Sequence, residues 1–365
     1  MSKTPWICNA AWNSITFYPN GKIAPCCQYH VDHFKPLADF DGVDTFKDVQ
    51  ELMMEGEIPP GCIRCQQREE KKQKSYRIFY GNKARHRVNL RHIDLRNSNF
   101  CNLACRFCGP EASSTWAKRL DIGFITNVSV FEYIDRMLTE HIEDVYITGG
   151  EPFLNPDHWA MLDKIIERGL AKNIHLRYNT NLTTLTYKGK NVLDLWPAFK
   201  KVSVSVSLEA IGCPLEMIRS GAKWAVIERN LESLKTVSSN VRLEIFCTVS
   251  SLNVWFLPEL VEYFKQQCLP ITFLELTEPD LMSIINLPIE FRMQAVDILK
   301  NLNIESIELN NMINYINLTD PFHTLDRLVM HILMLDNLNK ENLFDLMPFK
   351  DYALKKLTPI SYAGY

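Results

Sequence analysis

Short apolar stretches alternate with amphipathic ones through the middle of the chain. Residues 93–96, 144–148, 174–178, 202–207, 241–249 and 271–276 are short, rich in valine and isoleucine, and read as strands. Between them, residues 159–168, 224–234 and 258–267 carry apolar side chains at helical spacing. Strand–helix alternation predicts parallel β/α units. Six such units predict an α/β fold, a partial (β/α)6 barrel, with ligands at the carboxyl ends of its strands.

The flanks follow other patterns. Residues 16–18 and 22–24 enclose Pro19-Asn20-Gly21, which predicts a small β-hairpin. A short amphipathic stretch follows at 43–55, and the charged run 68–74 reads as a solvated helix face. Arg77 and Lys83 stand after it as candidate cations for an anionic substrate. Residues 288–302 and 324–335 return to helical spacing, with Phe322, Tyr352 and Tyr362 expected in the core. The chain therefore divides into a small N-terminal domain with linker at 1–90, a barrel at 91–280 and a mainly helical extension at 281–365.

Composition narrows the classes. With 365 residues, 46% hydrophobic and 23% charged, the chain is long enough for one sizeable core and an appended small domain. A net charge of -3 gives no basic field, which disfavours a general nucleic-acid binder. No apolar run approaches the roughly 18 residues of a membrane span, and the N-terminus has no signal-peptide pattern. A cytoplasmic location is expected. There the 11 cysteines are expected as thiols or metal ligands rather than disulfides. Cys213, Cys247 and Cys268 stand alone and are expected as buried packing residues.

The other cysteines fall into groups. Cys101, Cys105 and Cys108, at C-x3-C-x2-C spacing just after the first barrel strand, can converge on one iron–sulfur cluster. Three thiolates leave one iron of a four-iron cluster open for a ligand. The hairpin brings Cys8 and Cys26 together from its two ends, and Cys62 with Cys65 supplies a C-x2-C knuckle. Four such thiolates close a complete cage around zinc or a fully ligated four-iron cluster. Cys27, beside Cys26, is an alternative ligand.

Polar motifs fall at strand ends. Gly149-Gly150-Glu151-Pro152 follows the second strand; glycines admit close backbone approach, and the carboxylate can accept from an ammonium. Asn179-Thr180-Asn181 follows the third strand and suits a ribose or substrate contact, or an Asx turn. Ser207 ends the fourth. Arg219 follows it with a fork suited to a carboxylate, or to an ion pair.

The loop at 101–108, with Phe107 before its last cysteine, resembles the signature of the radical S-adenosylmethionine (radical SAM) superfamily. That resemblance implies a partial barrel of the radical SAM type. It implies a [4Fe-4S] cluster on Cys101, Cys105 and Cys108 whose open iron chelates S-adenosyl-L-methionine. It places Phe107 near the adenine and makes Gly149, Gly150 and Glu151 the motif that holds the amino group. Asn181 becomes a ribose or substrate contact, while Ser207 and Arg219 contact the methionyl carboxylate. Glu209 stands where the family usually has aspartate.

Cys8, Gly21 and Cys26 resemble the opening of the twitch domain, the short form of the SPASM domain, here placed before the barrel rather than after it. This implies an auxiliary [4Fe-4S] cluster on Cys8, Cys26, Cys62 and Cys65, and favours Cys26 over Cys27. The resemblance as a whole implies an oxidoreductase or isomerase that reductively cleaves S-adenosylmethionine to a 5'-deoxyadenosyl radical. The radical abstracts hydrogen from a peptide or small-molecule substrate, with a reductase, flavodoxin or ferredoxin as electron donor. The competing class is a non-catalytic iron–sulfur carrier or a zinc-stabilised binding module. A carrier needs no S-adenosylmethionine pocket, so Glu151, Ser207 and Arg219 argue against it.

Overall fold

A computed structural model of the chain describes residues 4–81, 89–123, 128–318 and 325–356. Lys83, Phe322 and Tyr362 lie outside the described residues. Nine strands form the main sheet: β1 Ser14–Phe17, β2 Lys22–Ala24, β3 Lys35–Pro36, β4 His92–Leu95, β5 Asp144–Ile147, β6 His175–Thr180, β7 Lys201–Ser207, β8 Val241–Val249 and β9 Ile271–Glu275. Their order is β9-β8-β7-β6-β5-β4-β1-β2-β3. From β9 to β1 every pair is parallel, and only the β1–β2 and β2–β3 pairs are antiparallel.

β4 to β9 are the six barrel strands that the alternation predicts. The N-terminal hairpin forms as well, with Thr16 opposite Ala24 and Phe17 opposite Ile23. It does not stand apart from the barrel. β1 pairs with β4 in parallel register, Thr16 beside Asp94, so the hairpin continues the same sheet.

The two faces of the sheet differ in chemistry because side chains alternate along each strand. One face carries Ile93, Leu95, Val145, Ile147, Leu176, Val204, Val206 and Ile245, all buried in one core. That core includes the apolar faces of helices Pro156–Glu167, Trp224–Lys235 and Leu257–Gln266. The opposite face is polar. In one register row Thr16, Asp94, Tyr146, Arg177 and Ser203 stand side by side. Arg96 binds Asp94 through two hydrogen bonds of 3.0 and 2.6 Å. Arg177 does the same to Asp144, at 2.8 and 2.5 Å. Both guanidinium groups lie over the Tyr146 ring, at 5.9 and 4.8 Å from its centre. Charges on this face are thus paired, as burial requires.

The C-terminal helices pack at the barrel's edge and mouth. Ile307–Leu318 lies against β9, and Tyr352 meets Phe291 edge-on at 5.5 Å. Leu325–Asn339 is tied to the cysteine loop through Arg106, whose side chain is fully buried. Its Nε donates to the Met217 carbonyl at 2.7 Å, and Nη2 donates to Asp336 and, at 2.8 Å, to Glu341. Asp336 also accepts from the backbone N–H of Leu343 and Phe344, at 3.0 and 2.9 Å.

Two of the lone cysteines depart from expectation. Cys247 is buried on β8, but Cys213 and Cys268 are exposed. Cys213 sits in the first turn of a short helix, Gly212–Ile218, and Cys268 in the tight turn that ends helix Leu257–Gln266, at φ 55°. The start of a helix and the turn after one both lie at the surface, which leaves these side chains out of the core.

Removing one partner of a buried ion pair leaves a desolvated charge, at a cost of about 3–5 kcal/mol. Asp336→Ala should therefore lower unfolding stability by about 3 kcal/mol, since Glu341 still faces Arg106. Urea titration of the variant checks this, with Asp336→Asn expected to fall between variant and native. An unmoved midpoint for Asp336→Ala would show that the extension is not held by this pair.

Candidate active site

The cysteine loop leaves β4 and is gripped by the turn that leaves β5. Gly150 N–H donates to the Ser98 carbonyl at 2.9 Å, and Glu151 N–H to the Phe100 carbonyl at 2.6 Å. A β-carbon on Gly150 would lie 2.3 Å from the Phe100 carbonyl oxygen. One on Gly149, at φ 108°, would lie 2.7 Å from that of Ser98. The two glycines are needed because backbone runs directly on backbone.

The loop itself is held by its own polar side chains. Thr115 Oγ1 donates to the Cys101 carbonyl at 2.7 Å, Ser113 Oγ to that of Leu103 at 2.6 Å, and Trp116 Nε1 to that of Cys105 at 2.8 Å. Ala104–Cys105 pairs antiparallel with Arg219–Ser220, which brings Arg219 opposite Cys105.

Most of the polar residues singled out in the sequence converge here. Glu151 is buried, and its carboxylate accepts from Thr180 Oγ1 at 2.7 Å and from the Asn181 N–H at 2.8 Å. Asn181 serves two purposes. Its Oδ1 accepts from the Thr183 N–H at 2.9 Å, an Asx turn, while Nδ2 faces the Cys101 Sγ at 3.8 Å and Asn102 Oδ1 at 3.2 Å.

Arg219 is buried and forks onto Glu209, with Nε–Oε2 and Nη2–Oε1 distances of 2.5 and 2.7 Å. Its Nη1 points at the Cys105 Sγ, 3.7 Å away, and its guanidinium lies 5.6 Å from the Phe107 ring centre. The ion-pair reading of Arg219 is thus met, in the interior rather than on the surface. Ser207 is set apart. It ends β7 two residues before Glu209 and, among the described residues, makes none of the side-chain hydrogen bonds that join the others.

Burial raises the thiols. Cys101 is pushed up to about 12, and Cys105 and Cys108 also rise, with the Arg219 cation opposing the shift at each. A bound metal reverses that preference, because its ligands are thiolates.

The second group also converges. Cys8, Cys26, Cys62 and Cys65 line one small cavity together with Trp6, Tyr29, Tyr80 and Arg77. Gly61 lets Tyr29 close over it, since a β-carbon there would lie 2.2 Å from the ring. Arg77 is fixed by Glu69, at 2.9 and 2.5 Å, and by the Ile7 carbonyl at 3.1 Å, with its guanidinium over Trp6. It is therefore a wall of this cavity rather than a free cation for substrate. Cys27 does not line the cavity. It faces the polar side of the sheet, where it feels the charges of Asp94 and Arg96. Among the described residues, no three His, Cys, Asp or Glu side chains are placed to hold a single metal ion.

One participant, Arg106, escapes the sequence, as does the role of another, Glu209. Arg106, inside the cysteine motif, reads there as an ordinary charged residue; only its burial against Asp336, 230 residues on, reveals it. Glu209 was noted as a departure, but its pairing with Arg219 shows what the longer carboxylate does. A charged residue between cysteines of a buried loop was the available signal.

Comparison with known proteins gives a match to the radical SAM superfamily over residues 97–252. A GTP 3',8-cyclase of Aliarcobacter butzleri is 28% identical over 183 residues, 49% of this chain and 53% of that protein. One of Sulfurimonas denitrificans is 26% identical over 180 residues, with 49% and 53% covered. The chain thus spans about half the length of the curated relatives it matches. Among solved structures, anSMEcpe with bound AdoMet is similar at TM-score 0.40 and 19% identity, covering 57% of this chain and 55% of that one. Streptococcus suis SuiB bound to S-adenosylmethionine is similar at 0.36 and 15%, covering 69% and 51%.

Burial raises the Glu151 carboxyl from 4.5 to about 7, against the hydrogen bonds it accepts. The folded state thus holds this proton more tightly than the unfolded one, so stability falls as pH rises from about 4.5 to 7 and then levels. Glu151→Gln removes the titration. Between pH 5 and 8 the native protein should lose up to about 3 kcal/mol that the variant keeps. Parallel denaturation curves for the two across that range would show that Glu151 does not titrate there.

Proposed function

We propose that this chain is a radical SAM enzyme, on its match to that superfamily over residues 97–252, and that its residues divide the work as follows. Cys101, Cys105 and Cys108 would hold the reactive cluster. Bound there and reduced by one electron, that cluster would supply the electron that splits S-adenosylmethionine into methionine and a 5'-deoxyadenosyl radical, and the radical would take a hydrogen atom from the substrate. The observation that carries this reading is the placement of polar donors against the cysteines: Asn181 Nδ2 on Cys101 and Arg219 Nη1 on Cys105. Donors of this kind stabilise sulfur-borne negative charge and tune such a site.

The remaining residues bind and orient. Glu151 braces the third strand end and carries the carboxylate for an ammonium. Arg219 is shared between Glu209 and the cysteines, so its positive charge is spent on the site itself. Ser207, whose hydroxyl makes no hydrogen bond among the described residues, is the one available to a carboxylate. Phe107 offers an aromatic face beside the loop.

Cys8, Cys26, Cys62 and Cys65 would hold an auxiliary [4Fe-4S] cluster. Four thiolates around one cavity are the donor set of a fully ligated four-iron cluster, in which each thiolate binds its own iron. The substrate is a peptide or a small molecule, taken on the polar face of the sheet between the two cysteine groups. The relatives' name, GTP 3',8-cyclase, is a small-molecule activity, and the paired charges around Tyr146 suit a polar substrate. The electron donor is a reductase, flavodoxin or ferredoxin, and the chain works in the cytoplasm; no helix among the described residues is long and apolar enough to cross a membrane.

Two measurements test the division. Anaerobic reconstitution should give about eight irons per chain, and replacing Cys101, Cys105 and Cys108 together with alanine should leave about four. If the triple variant instead keeps zinc and no iron, the auxiliary assignment is wrong. The dithionite-reduced protein should also form 5'-deoxyadenosine from S-adenosylmethionine, slowly even without substrate. Alanine at any of Cys101, Cys105 or Cys108 should abolish this, and alanine at Cys62 should spare it. Chromatography decides it: no 5'-deoxyadenosine at full iron loading leaves an electron carrier instead of an enzyme.

A further inference from the structure

A groove of about 420 Å³ runs between the auxiliary domain and the loop that follows β9. One wall is Arg64, Gln67, Arg68 and Lys71; the other is Thr277 and Glu278, with Gln28 and Gln73 alongside. Its position is unusual. Gln28 also lines the cavity of Cys8, Cys26, Cys62 and Cys65, and Glu278 also lines the cleft beside Phe107 and Cys108. The groove thus borders the spaces lined by both cysteine groups.

Its charge follows from one helix. Along Ile63–Glu70 and its C-terminal turn, Arg64, Arg68 and Lys71 recur at i, i+4 and i+7 and share a face. Cys65 is buried on the other side. The helix's own carboxylates do not neutralise that stripe. Glu69 is paired with Arg77 and accepts from Ser75, and Glu70, which accepts from Gln66 at 2.8 Å, does not line the groove. Arg64, Arg68 and Lys71 form no ion pair among the described residues, so three cations face one groove carboxylate, Glu278. This local excess stands in a chain of net charge -3. Unpaired cations lining a concave surface focus positive potential and raise the local concentration of anions. Guanidinium forks match the paired oxygens of phosphate and carboxylate alike.

We propose that this groove binds an oxyanion group of the substrate, phosphate or carboxylate, and so selects an anionic substrate at the barrel mouth. Arg64, Arg68 and Lys71 hold the oxyanion, and Glu278 with Thr277 accepts from donors on the neutral part of the molecule. The proposal rests on the radical SAM reading of the site only for calling the ligand a substrate; anion binding itself does not depend on it.

The test uses the full chain with its iron reconstituted, in low-salt buffer, and titrates inorganic pyrophosphate and tricarballylate separately by calorimetry. One or both should bind at a single site. The variant Arg64→Gln/Arg68→Gln/Lys71→Gln should weaken that binding tenfold or more, and added salt should weaken the native affinity. A control, Lys172→Gln/Lys188→Gln/Lys300→Gln, lies outside the groove and should bind as the native protein does. Pyrophosphate alone identifies a phosphate group, tricarballylate alone a carboxylate. Binding of neither, equal binding by groove variant and native protein, or equal weakening in the control overturns the proposal. 5'-deoxyadenosine formation, measured on the same samples, separates the two readings. Cleavage without anion binding sinks only the groove, and anion binding without cleavage sinks only the radical chemistry.

Discussion

The site depends on a contact that no side chain makes. Backbone at Gly149–Glu151 lies directly on backbone at Ser98–Phe100, close enough that any β-carbon at Gly150 would meet a carbonyl oxygen at 2.3 Å. This contact fixes where β4 hands over to the cysteine loop, and thereby where Cys101 begins. It also seats Glu151, whose carboxylate reaches Thr180 and Asn181 at the next strand end. Three strand ends are joined by a few hydrogen bonds in a place too tight for larger residues.

Around that contact the interior is polar but balanced. A buried cation costs several kcal/mol unless it is paired. Arg219 meets the requirement with Glu209, Arg106 with Asp336 and Glu341, and Arg77 with Glu69. Each pair stands beside a cysteine group, so the charge that pairs the arginine also fixes its direction. Arg219 has one nitrogen left over after its fork is filled, and that nitrogen faces Cys105. The longer carboxylate of Glu209 is what holds it there.

Much of this was legible in the sequence because it is local. Strand-length apolar runs, cysteine spacing and the Gly149–Gly150 pair each occupy a few residues, and the physics that reads them acts over the same few. What escaped is long-range. β1 pairs with β4 across more than 70 residues, and nothing in Ser14–Phe17 announces a parallel neighbour. Arg106 finds its carboxylate 230 residues away. Cys213 and Cys268 are exposed although cysteine is usually buried, because one opens a short helix and the other sits in the turn that ends one. Cys26 and Cys27 are neighbours in sequence, and it is the fold that turns one toward the cavity and the other toward Asp94 and Arg96.

The continuation of the barrel sheet into β1 has a consequence for how the molecule can be taken apart. A domain joined by a linker can be cut away and leave its neighbour whole; this one cannot. Without residues 14–17 the β4 strand becomes a bare edge, with a row of open N–H and C=O groups ready to pair with another chain. Its polar face, with Asp94, would lose Thr16 beside it at the same time. Truncation would therefore yield an aggregating barrel rather than a simpler enzyme. The strand that follows Cys8 and the strand that precedes Cys101 are thus direct neighbours in one sheet.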